Sequence, residues 1–290
     1  MKVSAVIVTY NRLELLKECL ETVSQQSAPL HRIVVIDNAS DDGTGAFLKQ
    51  FSDNSSYHVV TCEKNLGGAG GFALGLKTAV LDGADYVWIM DDDTIPERDA
   101  LLNLTKHVGG NLGFVCSSVK WVDGSDHLMN KPGGVRFNNL KGLYECECCS
   151  FVSVLIASKA IKKVGLPYKE FFIWCDDLEY TLRLYKAGYN CIYEPQSIVV
   201  HKSKTNYFPS VDIAPIEMAN RFYYQARNSW FLKKKYAKNK IILFASFLNK
   251  LRKARHRINK RPKEEREIFW QYYKKGLLDG IRFNPKVEFI

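Results

Sequence analysis

Three consecutive carboxylates, Asp91, Asp92 and Asp93, close the apolar run of residues 86 to 90. Burying them uncompensated would be expensive, so they are expected at the exit of a strand, meeting a cation or several donors. Asp91 and Asp93, one residue apart, suit a divalent cation that bridges two phosphates, because hard oxygen ligands hold Mg2+ or Mn2+ and leave positions open for the ligand. His201, after the apolar part of "IVVHKS", adds an imidazole of the kind that completes such a site for Mn2+. A second acidic pair, Asp176 and Asp177, opens "DDLEYTLRLYKAG", in which Glu179 and Arg183 form an i,i+4 pair. A carboxylate at a helix start that faces a cleft can serve as general base for a hydroxyl nucleophile. Tyr10 and Asp37, at the ends of the first two strands, could stack on a base and accept a hydrogen bond from it. Each motif also has a plainer reading. Thr94 could cap a helix over "PERDALLNLTKHV", Asp176 and Asp177 could be a capping cluster, Tyr10 and Asp37 could be turn residues, and a lone histidine is commonly a packed one.

These groups need a scaffold that brings strand ends together. Residues 3 to 9 alternate as a first strand, and a helix follows with Leu13, Leu16, Leu20 and Val23 on one face. A strand over residues 32 to 36 ends in the turn "DNASDDGT". "YHVVTC" repeats the pattern, with a glycine-rich turn "NLGGAGGF" and a helix through "ALGLKTAVLDG". Strands alternating with helices predict a parallel, doubly wound sheet whose ligands sit at the carboxyl ends of the strands. Asp37, Asn65 and the acidic triplet fall at such ends. After residue 110 shorter strands or hairpins are expected, then a helix ending near Gly188 and strand and loop material over "CIYEPQSIVVHKSK".

The chain has 290 residues, room for one large α/β domain and a smaller appendage, and its 46% apolar and 25% charged content is that of a folded protein. The opening residues are too briefly apolar for a signal peptide, so a cytoplasmic protein is expected. The eight cysteines are scattered through apparent strands and helices, and "ECECCS" lacks the spacing of a zinc site, so packed, reduced thiols are expected. The net charge of +10 is concentrated: residues 233 to 263 hold thirteen Lys or Arg and no acid. The apolar run of residues 241 to 248 is far short of the ~20 residues that span a membrane. Such a tail can lie on an anionic leaflet or form a solvated helix.

Taken in order over residues 3 to 203, "VIVTYNR", "VIDNASDDGT", "NLGGAGGF", "WIMDDDTIP", "FFIWCDDLEYTLRL" and "IVVHKS" resemble the family 2 glycosyltransferases of GT-A fold, most nearly the bacterial galactofuranosyltransferases, with rhamnosyltransferases close behind. The resemblance implies an α/β fold with a doubly wound mixed sheet over residues 1 to 215 and a basic helical region over 216 to 290. It implies metal-dependent, inverting transfer of galactofuranose, or another hexose, from UDP-galactofuranose or a related donor to a lipid-linked cell-surface glycan acceptor. Thr9, Tyr10 and Asp37 would hold the uridine, and Asn65, Gly67 and Gly68 would leave room for ribose and diphosphate. Asp91, Asp93 and His201 would bind Mn2+ or Mg2+, and Asp92 would face ribose or sugar. Asp177 would be the base, with Asp176 and Trp174 on the sugars. The basic helices would meet the cytoplasmic face of the inner membrane. Nucleic acid is not expected as a partner, because it would leave both acidic clusters idle or repulsive, and a homo-oligomer is left open. A rival remains in Gly68-x-Gly70-x-x-Ala73, which follows a strand and has Asp91 about twenty residues later, as in NAD-dependent oxidoreductases.

Overall fold

The computed structural model describes residues 1–237 and 239–290; Lys238, one of the basic residues counted above, lies outside them. In chain order the elements are β1 (Val3–Thr9), α1 (Leu13–Ser24), β2 (Arg32–Asp37), α2 (Thr44–Leu48), β3 (Tyr57–Thr61), α3 (Gly67–Leu81), β4 (Tyr86–Asp91), β5 (Thr94–Pro96), α4 (Ala100–Thr105) and β6 (Leu112–Lys120). They continue with β7 (Arg136–Asn138), β8 (Leu143–Glu145), β9 (Val154–Ala157), α5 (Ser158–Val164), α6 (Asp176–Lys186), β10 (Asn190–His201), α7 (Arg221–Lys235), α8 (Lys240–Ile258) and α9 (Lys263–Arg282). The chain forms two compact units. One comprises Met1–Lys169, Asp177–Tyr207 and Val287–Ile290, the other Glu170–Asp176 and Phe208–Lys286.

The first unit is built on one mixed sheet in the order β3-β2-β1-β4-β9-β6-β10-β8-β7, with β5 paired to β10. Strands β3, β2, β1 and β4 are parallel, as the strand and helix alternation predicts. The sheet as a whole is mixed, as the family resemblance implies: β9 runs antiparallel between β4 and β6 because hairpin strands rather than a crossover helix lead into it. Alternate residues of the strands supply two cores. Val6, Val34, Ile36 and Ile89 pack with Phe72 and Leu76 of α3 on one face. Ile7, Val35, Trp88 and Met90 pack with Leu16 and Leu20 of α1 and Leu101 of α4 on the other.

The run "NLGGAGGF" is not a turn, because α3 begins at Gly67 and carries the glycines through its first turns. A Cβ on Gly71 would lie 2.5 Å from Val8 Cγ1, and one on Gly75 2.3 Å from Val6 Cγ1. The glycines lower helix propensity but let the α3 backbone rest directly on β1, and packing outweighs propensity. Thr94 is likewise no helix cap: it pairs with His201 in the β5/β10 ladder, and Asp99 precedes α4. The end of the chain returns to this unit. Glu288 accepts a backbone hydrogen bond from Leu166 (2.8 Å) and pairs its carboxylate with Lys77 (2.8 Å) and Lys169 (3.1 Å), while Val287 fills the space beside Gly165.

In the second unit α7, α8 and α9 enclose Phe222, Trp230, Ile258, Phe269 and Leu277. Part of the basic run is internal structure rather than a solvated face. Arg261 is buried, donates to the carbonyls of Val211 (3.0 Å) and Ala214 (2.7 Å), and pairs with Glu265. Lys234 donates to the carbonyls of Gly280, Ile281 and Phe283 at the end of α9, where cations are favourable. None of the eight cysteines forms a disulfide among the described residues.

Candidate active site

The carboxyl ends of β1, β2 and β4 converge, since Thr9 is in register with Asp37 and Val8 with Asp91. Antiparallel pairing of β5 with β10 sets His201 opposite Thr94, and Lys202 N donates to the Asp93 carbonyl (2.8 Å). His201 is thereby delivered to the acidic triplet from far along the chain. One ligand atom from each of Asp91, Asp93 and His201 lies within 4.8 Å of the others. This donor set of two carboxylates and an imidazole fits a divalent cation. The ring Nε2 of His201 is 3.1 Å from Asp93 Oδ1, a buried oxygen that has no further hydrogen-bond partner among the described residues.

The electrostatics follow from burial and crowding. Burial, reinforced by the charge of Asp93, pushes Asp91 up to about 7, and burial pushes Asp92 up to about 6. Against the same burial, His201 and Arg12 hold Asp93 below the usual carboxylate range, and His201 is raised in turn. Arg12, the last residue of "TYNR", reaches Asp92 Oδ1 (3.2 Å) and Asp93 Oδ2 (2.5 Å) through one nitrogen. Sequence reasoning passed over Arg12, although it stands inside a quoted motif.

Asp92 turns inward, where it accepts from Thr9 Oγ1 (2.8 Å) and Tyr10 N (3.3 Å). The side chain of Thr9 is thus committed to Asp92, while Tyr10 is exposed. Asp37 is buried; its Oδ1 accepts from Ser40 N (3.0 Å) and its Oδ2 has no hydrogen-bond partner among the described residues. Asn65 Oδ1 accepts from Gly67 N (2.7 Å), which fixes the entry to α3, and the space over Gly68 is open. Asn38, also missed from sequence, braces this entry: its Oδ1 accepts from Leu66 N (2.8 Å) and its Nδ2 donates to the Gly67 carbonyl (3.0 Å).

His201 is held from two sides. Its Nδ1 meets Asn130 Oδ1 at 2.9 Å, and Asn130 Nδ2 donates to Ser150 Oγ (2.9 Å). The His127 ring lies 4.6 Å from that of His201 and is itself tied to Ser203 Oγ (2.8 Å). An amide oxygen at Nδ1 favours the ring proton there, so that Nε2, which faces the carboxylates, can offer its lone pair to a cation held with them.

Asp177 is partly buried, and burial pushes it up to about 6 although the Leu178 amide donates to its Oδ1 (2.7 Å). Thr181 Oγ1 donates to the Asp177 carbonyl (2.7 Å) and accepts from Cys149 N (3.2 Å), tying the start of α6 to "ECECC". No hydrogen bond joins Asp177 to the acidic triplet among the described residues. Asp176 is buried, and Trp174 is half-buried against Phe222, their ring centroids 5.2 Å apart. Phe172, Trp174 and Cys175 have φ of 64°, 64° and 66°. Such left-handed conformations in bulky residues each cost on the order of 1–3 kcal/mol and concentrate at functional sites.

Residues 4–164 match the model of the glycosyl transferase family 2. The chain is 28% identical over 205 residues to the galactofuranosyltransferase GlfT1 of Mycolicibacterium smegmatis, a match covering 64% of this chain and 66% of that one. It is 24% identical over 206 residues to the poly-beta-1,6-N-acetyl-D-glucosamine synthase of Staphylococcus epidermidis, covering 68% of this chain and 48% of that one. The chain thus spans about two thirds and about half of the lengths of these relatives. Among solved structures, the mannosyltransferase PcManGT of Pyrobaculum calidifontis, in complex with GDP-Man and Mn2+, superposes with a TM-score of 0.59 at 19% identity, over 98% of this chain and 76% of that one. The shared architecture is the GT-A fold.

Proposed function

Because the chain belongs to glycosyl transferase family 2, we propose that it transfers galactofuranose from UDP-galactofuranose to a glycan hydroxyl, with inversion at the anomeric carbon. The convergence of Asp91, Asp93 and His201 at the carboxyl edge of the sheet carries this reading. The orphaned Asp37 Oδ2 suits a donor on the uracil ring, with the exposed Tyr10 ring as a stacking face. Gly68 leaves room for the diphosphate at the amino end of α3, where helix amides favour anions. Asp91, Asp93 and His201 would hold Mn2+ or Mg2+, and the cation when bound neutralises charge on the departing diphosphate. Asp92, through Thr9 and Tyr10, fixes the β1 exit.

Asp177 would accept the proton of the acceptor hydroxyl as its oxygen attacks C1 from the face opposite UDP. The C1–O bond to the diphosphate then breaks and UDP leaves with the bonding pair. Asp176 and Trp174 would contact the sugars. Galactofuranose rests on the GlfT1 relative; the N-acetylglucosamine polymer synthase keeps another hexose as the second reading. The oxidoreductase alternative loses its basis, since residues 4–164, the glycine run included, match the model of glycosyl transferase family 2. The test is transfer and hydrolysis with a panel of UDP- and dTDP-sugars, with and without Mn2+. Metal-dependent use of UDP-galactofuranose alone is the expected result, and inactivity with every donor would sink the proposal.

Two further outcomes are expected. Asn130→Ala should weaken Mn2+ binding by about 10- to 100-fold, because the ring it orients is freed, and Mn2+ titration by electron paramagnetic resonance reads this directly. The acceptor is proposed to be lipid-linked and reached from the cytoplasmic membrane face. No helix among the described residues is long and apolar enough to cross a membrane, but α8 exposes Ile241, Ile242, Phe244 and Leu248 ahead of its basic half. Cosedimentation with phosphatidylglycerol vesicles, absent with phosphatidylcholine and reduced about tenfold or more in Phe244→Glu, is the expected pattern.

A further inference from the structure

Residues 170 to 175 lead into α6 through a backbone that places three non-glycine residues, Phe172, Trp174 and Cys175, in the left-handed region. Glycine would adopt these angles without strain. Keeping an aromatic, an aromatic and a thiol there makes sense where the side chains are needed and other groups hold the backbone. Those groups come from one helix, α7. Asn228 is wholly buried, and its Nδ2 lies 2.9 Å from the Phe171 carbonyl, 3.2 Å from that of Ile173 and 2.9 Å from that of Trp174. Arg227 donates to the carbonyls of Glu170 (2.5 Å) and Phe171 (3.3 Å) and, through Nε, to Asn228 Oδ1 (3.0 Å). Its guanidinium lies 4.1 Å from the Phe283 ring centroid. Two more α7 residues grip the loop by its rings: Tyr224 stacks on Phe172 at 4.8 Å and Phe222 meets Trp174 edge-on.

We propose that Asn228, oriented by Arg227, is a positioning residue of the transferase, holding the strained loop so that α6 starts at Asp176 and Asp177 with both carboxylates at its first turn. The inference rests on the function proposed above. An amide NH2 has two hydrogens, so contact with three carbonyls requires one hydrogen to be shared, and the single side chain ties three successive parts of the loop together. Displacing the base by about 1 Å is enough to cost about 10²-fold in rate.

The experiment compares wild type, Asn228→Ala and the double variant Asn228→Ala with Cys175→Gly, using hydrogen exchange of peptides over residues 168 to 178, UDP and Mn2+ binding, and transfer kinetics. In Asn228→Ala, exchange over the loop should rise about tenfold and kcat should fall about 10²-fold, with UDP and Mn2+ binding changed less than about twofold. Cys175→Gly, by removing one left-handed penalty, should recover part of both losses. A role confined to packing would give no such rescue. If Asn228→Ala does not fold, Asn228→Ser, which keeps one donor hydrogen, carries the same comparison. An opened loop with unimpaired transfer, or impaired transfer with an unopened loop, overturns the proposal. Absence of transfer by the wild type would overturn the transferase reading, and the exchange data alone would then judge the clamp.

Discussion

Asp177→Asn is expected to slow sugar transfer by about 10²- to 10⁴-fold while leaving UDP binding within about twofold of wild type. The amide keeps the shape of the side chain and its place beside the Leu178 amide but cannot take a proton. The pH profile supplies an independent signature. A base pushed up to about 6 by burial is protonated and idle below that value, so wild-type kcat/KM should climb with pH through about 6 and level off above it. Stability runs the other way. The folded pKa lies above the unfolded one, so the protonated form favours the fold, and this contribution is lost as pH rises through about 6. At pH 8 the neutral Asn should therefore raise stability, by up to about 3 kcal/mol before solvent screening of this partly buried group reduces it. A variant that is both inert and more heat-resistant at pH 8 than at pH 5, relative to wild type, would be hard to explain without a functional charge at this position. Equal activity of Asn and Asp would remove Asp177 from the mechanism.

The second large effect belongs to Asp91. Asp93 is tied to Arg12 and His201, so removing it mixes loss of a metal ligand with loss of ion pairs. Asp91→Asn takes away ligand charge and leaves those pairs intact. Transfer should fall about 10³-fold, equivalent to the several kcal/mol that a cation contributes at a leaving diphosphate. The fold should not suffer, since burial with Asp93 nearby disfavours the charge of Asp91 when no cation is bound. The same crowding sets the sign of the pH effect. Asp91 at about 7 must give up its proton to bind a cation, so affinity should rise with pH across neutrality and protons should be released. Calorimetric titration with Mn2+ in two buffers of different ionisation enthalpy measures that release. Mn2+ binding that is unchanged in Asp91→Asn would show that the ion is held elsewhere.

What could be read from sequence was whatever local pattern decides. The acidic triplet at a strand exit, His201 after an apolar run and the paired acids at the head of α6 stand where periodicity placed them. The glycine run was misread because propensity counts each residue alone, whereas Gly71 and Gly75 answer to Val8 and Val6 across the helix and sheet interface. That the sheet is mixed followed from the family resemblance, but which strand runs antiparallel was not legible, since strand neighbours are chosen in three dimensions. Arg12, Asn38, Asn130 and Asn228 share one reason for escaping notice. Polar residues in loops and helices are ordinary, and only the fold reveals that each serves buried carbonyls, amides or charges.

The return of residues 287 to 290 to the first unit bears on how the protein is made. A ribosome adding about 5–20 residues per second needs roughly 4 to 16 seconds to synthesise Phe208–Lys286, and only then does Glu288 emerge to meet Leu166, Lys77 and Lys169. Throughout that interval the nascent sheet waits with the surface beside Gly165 uncovered. The segment Glu170–Asp176 waits a shorter time, until Asn228 of α7 has been translated. Folding of the first unit ahead of the second, in the order of the emerging chain, is closed to this topology, and a chaperone that shelters the exposed patch has several seconds in which to act.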